Sequence, residues 1–356
     1  MNKILFGGSF DPIHLGHTLM ADLASKQLDA DVIFLPSKVA IWKKESTDIS
    51  HKVNMMEIAI RNYPRFHIDL YEVNSDKEYN YSIDTVRYFV NKYPNDTFYY
   101  LIGTDHVNAF DKWKEAEEIS KLVHIIYFER PNYQVNKDNV NKYHMTQIQG
   151  EEVDISSTDI RDLKSLKLDK GVIDYIVSNK LYFVNKVATY LSERRFIHSV
   201  NVANLAYDIA ISNNIDRPDR YYIAGLLHDI GKHYENSGII LEHYQEYKDY
   251  PKPILHQFIG EYIAKKDFNI TDSEILEAIK FHTTGKDNMS TLAKVIYSAD
   301  KIEPGRGYDS SEFIKAMKDD AEKGFLIVLK ANVEFFKEKK IDYDNPSTSK
   351  CIEYYI

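Results

Sequence analysis

The fold of the first half is decided by the stretch Gly7-Gly8-Ser9-Phe10-Asp11-Pro12-Ile13-His14-Leu15-Gly16-His17, which directly follows an apolar run at residues 3–6. The apolar run predicts a buried strand, and the residues from Leu15 onward predict a helix. Gly7 and Gly8 leave no side chain between the backbone N–H groups of the turn and a bound phosphate. The start of the helix directs its unpaired N–H groups and partial positive charge at the same place. This arrangement is typical of a site that binds nucleotide phosphates.

Two histidines stand at the mouth of the predicted helix. His14 and His17 are three residues apart, so they share one side of the first turn and both reach a triphosphate. No glutamate follows them as in a metalloprotease helix, which makes zinc binding less expected here. We therefore predict that both imidazoles contact phosphate.

Apolar runs alternate with helical patterns through the first half of the chain. We predict strands at 3–7, 31–36, 66–70, 97–102, 123–128 and 144–148, and helices at 15–28, 50–62, 82–93, 105–119, 156–164 and 172–179. This alternation predicts an α/β, Rossmann-like domain with a parallel sheet that binds ligands at the carboxyl ends of its strands. Amphipathic helical segments dominate from about residue 183, so we predict two domains, 1–182 (α/β) and 183–356 (all-α).

The second half contains a set of metal-ligand side chains: His198, His228, Asp229, His256, His282 and Asp300. His228 and Asp229 are adjacent within an apolar helix predicted over 223–232, where burial of an imidazole and a carboxylate needs a partner. Imidazole and carboxylate ligands suit iron, manganese, zinc or magnesium and leave positions open for water or substrate. The pattern predicts a metal site with positions open for water or substrate.

The composition fits two enzymes in one chain. With 356 residues and about 150 residues per domain, two cores are expected. The single cysteine, Cys351, favours a reduced, cytoplasmic location. A net charge of -9 without a basic block argues against general nucleic-acid binding, and no apolar run approaches the roughly 18 residues of a membrane span. A homo-oligomer is compatible with the sequence.

The first motif resembles the nucleotidyltransferases with the H-x-G-H signature, which are relatives of class I aminoacyl-tRNA synthetases. Together with Ile155-Ser156-Ser157-Thr158-Asp159-Ile160-Arg161, it is similar to nicotinate mononucleotide adenylyltransferases. The resemblance implies transfer of the adenylyl group of ATP, usually with Mg²⁺, by alignment and charge neutralisation. It places at ATP the residues Gly7, Gly8, Ser9, Phe10, His14, His17, Ile155, Ser156, Ser157 and Arg161, although the second segment also fits an ordinary helix N-cap.

Further segments match the same family in order and approximate spacing: Tyr81-Ser82-Ile83-Asp84-Thr85, Gly103-Thr104-Asp105, Trp113 and Arg130-Pro131. By resemblance, Thr85 lies near the nicotinate ring and Trp113 stacks on it, while Gly103 and Asp105 line the adenosine and ribose pocket. The resemblance also assigns Arg130 to the mononucleotide. The residues alone leave Trp113 equally open as a half-buried packing residue.

One loop departs from the family pattern. The family commonly has a Pro-Pro-His-Lys-like segment after the second strand, where this chain has Ala40-Ile41-Trp42-Lys43-Lys44. Lys43 still offers a positive charge to the mononucleotide phosphate. Nicotinate mononucleotide is the expected acceptor, and nicotinamide mononucleotide and phosphopantetheine remain the alternatives.

The second half resembles the HD-domain phosphohydrolases, and within them the bacterial symmetrical hydrolases of diadenosine tetraphosphate (Ap4A). The most specific matches are His282-Thr283-Thr284-Gly285 and Ala299-Asp300-Lys301-Ile302-Glu303-Pro304-Gly305-Arg306. The resemblance implies a transition metal, iron by expectation, on His198, His228, Asp229 and Asp300.

The same resemblance implies that Asp229 and Lys232 serve catalysis. It places at the substrate Asn201, Lys232, His256, His282, Thr283 and Arg306. His256 and His282 equally fit a second metal. A nucleotide-binding regulatory module without turnover, or hydrolysis of ppGpp, dNTPs or a cyclic dinucleotide, are the alternatives for this half.

Overall fold

The computed structural model describes residues 1–37, 47–77, 80–129, 134–150, 155–340 and 345–356. The chain divides into two compact units, residues 1–160 with 167–178 and residues 161–166 with 179–356. Within the described residues, no helix is long and apolar enough to cross a membrane.

A parallel sheet of six strands forms the first unit. The strands are β1 (Asn2–Gly8), β2 (Ala30–Pro36), β3 (Phe66–Ile68), β4 (Thr97–Gly103), β5 (His124–Phe128) and β6 (Thr146–Gln147). Their order is β3-β2-β1-β4-β5-β6, and every neighbouring pair is parallel. The predicted α/β fold class is confirmed.

The order of the strands locates the crevice in which such sheets bind ligands. The chain builds β1, β2 and β3 in one direction and then returns to the other side of β1 to build β4. Between β1 and β4 the connections leave in opposite directions, which opens a crevice at the carboxyl ends of these strands. Gly7 and Gly8 end β1, and Gly103 ends β4, so both predicted motifs reach this crevice.

Helices cover the sheet: α1 (Leu15–Leu28), α2 (Ile49–Ile60), α3 (Ser82–Lys92), α4 (Thr104–Ala109), α5 (Ala116–Leu122), α6 (Lys137–Lys142), α7 (Ser157–Arg161) and α8 (Lys170–Ser178). The single helix predicted over 105–119 is wrong, because a 3₁₀ turn at Phe110–Lys112 separates α4 from α5. Trp113 is extended there and Glu115 is left-handed with φ 56°. The break lets fully buried Phe110 and half-buried Trp113 pack with Tyr100.

The remaining helices are α9 (Phe183–Tyr190), α10 (Glu193–Ser212), α11 (Pro218–Leu227), α12 (Ile239–His243), α13 (His256–Asp267), α14 (Ser273–Phe281), α15 (Thr291–Ile302), α16 (Ser311–Asp319), α17 (Ala321–Lys339) and α18 (Pro346–Tyr355). The described part of 179–356 contains no strand, which confirms the all-α prediction. Short 3₁₀ turns lie at Gln245–Tyr247, Lys252–Ile254 and Pro304–Arg306.

Two glycines let the helices of the second unit approach closely. A Cβ at Gly225 would lie 2.6 Å from the Cα of Ala203, so this glycine permits the contact of α11 with α10. A Cβ at Gly231 would overlap the backbone of His256 and Gly260. The helix predicted over 223–232 ends earlier, at Leu227, and the turn that follows carries His228 and Asp229 toward α13.

Candidate functional site

The predicted phosphate site lies where β1 leads into α1. His14 is the N-cap of α1, and its backbone N–H donates to Nδ1 of His17 at 3.2 Å. The two rings stack with centroids 3.6 Å apart and 22° between their planes. His14 is buried and His17 is half-buried. Each imidazole therefore has a fixed position beside the first helical turn, as the spacing predicts.

Close contacts at Gly8 and Gly16 leave no room for a larger side chain. A Cβ at Gly8 would lie 3.0 Å from the ring of Phe10, and one at Gly16 would lie 2.8 Å from Ile155. Phe10 is buried with φ 42°, and its ring meets that of His17 edge-on at 5.0 Å. The ring of Phe10 thus packs against the imidazole of His17. Ser9 is half-buried and lies between β1 and α1.

The segment before α7 holds the motif through its hydroxyl groups. Ser157 Oγ donates to the carbonyl of Pro12 at 2.9 Å. Ser156 Oγ accepts from the backbone N–H of Asp159 at 3.1 Å and lies 2.6 Å from the carboxylate of the same residue. These are the contacts of an ordinary helix N-cap, the other role that the sequence allows for this segment. Ile155 is buried, and half-buried Arg161 is the last residue of α7.

The end of β4 contributes a second edge of the crevice. Gly103 is the N-cap of α4, and exposed Asp105 lies in the first turn of that helix. A Cβ at Gly103 would lie 3.0 Å from Oδ1 of Asp105. Thr104 Oγ1 donates to the carbonyl of Phe128 at 3.0 Å and so ties the ends of β4 and β5 together. Gly103 and Asp105 therefore stand together beside β1.

Thr85 is buried within the protein, whereas direct contact with the nicotinate ring requires an accessible side chain. Its side chain is fully buried, and its hydroxyl donates to Oε1 of Glu72 at 2.8 Å. Burial raises the pKa of Glu72 to about 7 against the hydrogen bond from Thr85. No local motif marks Glu72, because its partner lies thirteen residues away in another element.

Trp113 makes the contacts of a half-buried packing residue, which is one of the two roles that the sequence leaves open for it. Its ring meets Tyr100 edge-on at 5.9 Å, His106 at 5.5 Å and Phe110 at 5.0 Å. Lys43 and Arg130, which were predicted at the mononucleotide, lie outside the described residues, as does the segment Ala40-Ile41-Trp42.

The second unit brings its predicted ligands together from five segments. His198 comes from α10, His228 and Asp229 from the turn after α11, His256 from the start of α13, His282 from the end of α14, and Asp300 from α15. Two groups have ligand atoms that all lie within 4.8 Å of one another: His198 with His228 and Asp300, and His228 with Asp229 and His282. His228 is common to both groups.

Backbone carbonyls fix the orientation of three of these rings. Nδ1 of His228 lies 2.7 Å from the carbonyl of Gly225, and Nδ1 of His282 lies 2.8 Å from that of Ile279. Nδ1 of His256 lies 2.8 Å from the carbonyl of Pro253. These contacts turn the Nε2 atoms of all three rings toward the cluster. Nδ1 of His256 also lies 3.1 Å from Nζ of Lys232, which can only donate.

The donor set fits a divalent metal. Among the described residues, the buried Nε2 of His228 has no hydrogen-bond partner; its nearest acidic oxygens are 3.6 Å away on Asp300 and 3.8 Å away on Asp229. The Nε2 atoms of His256 and His282 face each other at 3.0 Å. Burial lowers the pKa of His282 to about 3 and also lowers the pKa of His256, so both imidazoles are neutral and suited to bind a metal ion.

The carboxylates supply negative charge to this cluster. Oδ1 of Asp229 lies 3.3 Å from His256 and 3.6 Å from His282, and Oδ1 of Asp300 lies 3.0 Å from His198. Burial raises the pKa of Asp229, but the neighbouring imidazoles, His228 first, outweigh this and hold it well below its usual range. Both carboxylates are thus anionic and directed at the imidazoles.

A cavity of about 390 Å³ opens onto the cluster. Its basic wall consists of Arg195, Lys232 and Arg306, and its apolar wall includes Pro251, Ile254 and Phe336. Arg195 Nη1 lies 2.8 Å from Oδ2 of Asp229, and Arg306 binds both the carbonyl and the carboxylate of Asp300. Lys232 Nζ lies 3.4 Å from the carbonyl of Pro253. Sequence reasoning assigned no role to Arg195, although it stands three residues before His198.

Two predicted substrate residues have protein partners. Asn201 Nδ2 donates to Oε2 of Glu303 at 3.1 Å, and Thr283 Oγ1 lies 3.3 Å from Nε2 of His256. The fully buried amide of Gln257 accepts from the backbone N–H groups of Thr283 and Thr284 and so holds this turn. Sequence reasoning assigned no role to Gln257 or to Glu303, although Glu303 lies within the quoted segment 299–306.

Comparison with known families covers both units. The cytidylyltransferase-like family matches residues 5–163, and the HD domain family matches residues 195–305. A Bacillus subtilis nicotinate-nucleotide adenylyltransferase is 34% identical over 186 residues, which is 51% of this chain and 94% of that protein.

Two relatives span both units. A Mycoplasma genitalium protein named "probable nicotinate-nucleotide adenylyltransferase/Ap4A hydrolase" is 31% identical over 340 residues, covering 92% of this chain and 96% of the relative. A Mycoplasma pneumoniae protein of the same name is 28% identical and covers 92% and 98%. Both resemblances predicted from the motifs are confirmed, and the chain belongs to the family of the nicotinate-nucleotide adenylyltransferase/Ap4A hydrolases.

Proposed function

We propose that the chain is a bifunctional enzyme. Residues 1–182 transfer the adenylyl group of ATP to nicotinate mononucleotide, giving nicotinate adenine dinucleotide and pyrophosphate. Residues 183–356 hydrolyse Ap4A symmetrically to two ADP with a divalent transition metal, iron by resemblance. The single observation that carries the second assignment is the pair of ligand groups, His198 with His228 and Asp300 and His228 with Asp229 and His282, whose ligand atoms in each group lie within 4.8 Å of one another. We further propose a cytoplasmic location, in keeping with one buried, unpaired cysteine.

The adenylyl-transfer site works by alignment. The acceptor phosphate attacks the α-phosphorus of ATP, and pyrophosphate leaves, so no side chain has to accept a proton. The stacked His14 and His17 and the start of α1 stabilise charge on the phosphates, with Mg²⁺ as the expected counter-ion. Gly103 and Asp105 hold the adenosine at the neighbouring strand end.

The hydrolytic site works by a different chemistry. His198, His228, Asp229 and Asp300 would hold the metal, and His256 and His282 would contact phosphate or a second ion. When bound, the metal would supply Lewis-acid activation of the attacking water. Lys232, Arg306 and Arg195 would offset the charge of the polyphosphate, and the apolar wall with Phe336 suits a purine base.

A nucleotide panel tests both assignments on the full-length, metal-replete protein. With ATP and Mg²⁺, nicotinate mononucleotide should give product faster than nicotinamide mononucleotide or phosphopantetheine; equal turnover of another acceptor would refute the acceptor assignment. With Ap4A, chromatography should show only ADP. AMP plus ATP would contradict symmetrical cleavage, and binding without turnover would favour the regulatory alternative. Faster hydrolysis of ppGpp or a dNTP would reassign the substrate.

A further inference from the structure

Glu303 is a buried carboxylate that lies directly behind one metal-ligand histidine. It follows the last residue of α15 and is only 2% exposed. Its Oε1 lies 3.0 Å from Nδ1 of His198, on the side of the ring that faces away from Asp300. The Nε2 of the same ring lies 3.0 Å from Oδ1 of Asp300. His198 is thus held between two carboxylates, one on each nitrogen.

The other oxygen of Glu303 is fixed by two donors. Oε2 accepts from Asn201 Nδ2 at 3.1 Å and from the backbone N–H of Gly305 at 2.6 Å. His198 and Asn201 are three residues apart on α10, so they share the face of the helix that meets Glu303. A Cβ at Gly305 would lie 2.8 Å from Oε2 and 3.0 Å from Asn201 Nδ2, so glycine leaves room for this arrangement.

The arrangement has a specific consequence for His198. A ring nitrogen can ligate a metal only through its lone pair, and the partner of the other nitrogen decides where the proton resides. In the other three histidines of the cluster, Nδ1 lies within 2.8 Å of a backbone carbonyl. His198 uses the carboxylate of Glu303 instead.

We propose that Glu303 is a positioning residue of the metal centre, which holds His198 with its proton on Nδ1 and its Nε2 lone pair directed at the metal, while Asn201 and Gly305 hold Glu303 in place. This inference rests on the proposed metal-dependent function of the second unit. It also gives Asn201 a role behind the ligand shell rather than at the substrate.

The test measures Co²⁺ binding to the metal-free full-length chain by competition with a chromophoric chelator. Glu303→Gln keeps the shape of the side chain but places an N–H₂ group against either His198 or the two donors on the other side. We expect Co²⁺ affinity to fall by about 10- to 100-fold, as for other carboxylates behind a metal-bound histidine. The absorption spectrum of the Co²⁺-loaded variant should also change, since one ligand is misoriented. Asn201→Ala should give a smaller loss in the same direction.

A double-mutant cycle separates positioning from a general loss of negative charge. If Glu303 acts through His198, Glu303→Gln should have no further effect on Co²⁺ affinity in the His198→Ala background. Unchanged affinity in Glu303→Gln, an equal loss in both backgrounds, or a metal-free variant that has lost its helical signal would each overturn the proposal. Failure of the wild-type chain to bind Co²⁺ would instead refute the proposed metal-dependent function.

Discussion

The proposed phosphate site at the end of β1 consists of glycines, the start of a helix and two stacked imidazoles, whereas the cavity of the second unit is lined by imidazole, carboxylate and cationic side chains. In the first unit, Ser156, Ser157 and Phe10 contact protein groups, so the side chains mainly shape a backbone site. In the second unit, backbone carbonyls lie within 2.8 Å of Nδ1 of His228, His256 and His282 and fix the orientation of these rings. Alignment of nucleotide phosphates thus depends on the backbone geometry of the binding turn. Metal-dependent hydrolysis depends instead on imidazole nitrogens and buried carboxylates held in fixed orientations.

The largest effect is expected from Asp229→Ala. Removal of this carboxylate leaves His256, His282 and Arg195 without their shared anion, so metal should be lost and Ap4A hydrolysis abolished. Metal content by elemental analysis and ADP formation are the measurements. Asp216→Ala, an exposed position outside the cavity, is the control. Retention of metal and turnover by the Asp229 variant would break the proposed distinction between the sites.

His17→Ala tests the backbone-rich site. In the proposed mechanism the imidazole makes a phosphate contact that strengthens in the transition state, so we expect kcat to fall by roughly 30- to 1,000-fold, equivalent to about 2–4 kcal/mol. Steady-state formation of nicotinate adenine dinucleotide measures this loss. His67→Ala, exposed on β3, is the matched control and should keep its kcat. A His17 variant with nearly normal kcat would leave the backbone alone responsible for catalysis.

Phe336→Ala tests the apolar wall of the second cavity. Loss of stacking on a base is worth about 1–3 kcal/mol, so KM for Ap4A should rise by roughly 5- to 150-fold while the metal content stays constant. Phe335 is the adjacent aromatic residue, is 47% exposed and does not line the cavity. Phe335→Ala should therefore leave KM unchanged, and equal effects of the two substitutions would contradict the placement of the base.

Glu72→Gln compares two kinds of buried carboxylate. Asp229 is surrounded by imidazoles, whereas Glu72 has one hydroxyl partner and burial raises its pKa from 4.5 to about 7. Because the folded state binds the proton more tightly, this group destabilises the wild type increasingly as pH rises from 4.5 through 7. Between pH 5.5 and 8, ionisation of Glu72 lowers the free energy of unfolding by roughly 2 kcal/mol.

Thermal unfolding of the full-length chain between pH 5.5 and 8 measures this effect. The Glu72→Gln variant should unfold at a higher temperature than the wild type at pH 8, and the difference should shrink toward pH 5.5. Glu57→Gln, exposed on α2, should parallel the wild type at every pH. If the unfolding temperatures of Glu72→Gln and the wild type change with pH in parallel, burial does not raise the pKa of Glu72.

The sequence predicted the elements whose signal is local. Strands such as β2 read as continuous apolar runs because both faces of a parallel sheet are buried, and the ligand types of the metal cluster appear in short motifs. The break between α4 and α5 was not predictable, because it depends on the packing of Phe110 and Trp113 against Tyr100. Glu303 and Arg195 were missed for the same reason, since their partners lie 105 and 34 residues away.

The central claim is that two separate sets of residues carry two separate activities, and one crossed assay tests it most directly. Full-length Asp229→Ala and His17→Ala are each assayed for nicotinate adenine dinucleotide formation and for ADP formation from Ap4A. We expect Asp229→Ala to lose hydrolysis and keep the wild-type rate of adenylyl transfer, and His17→Ala to show the reverse. Loss of both activities in either folded variant would contradict the claim.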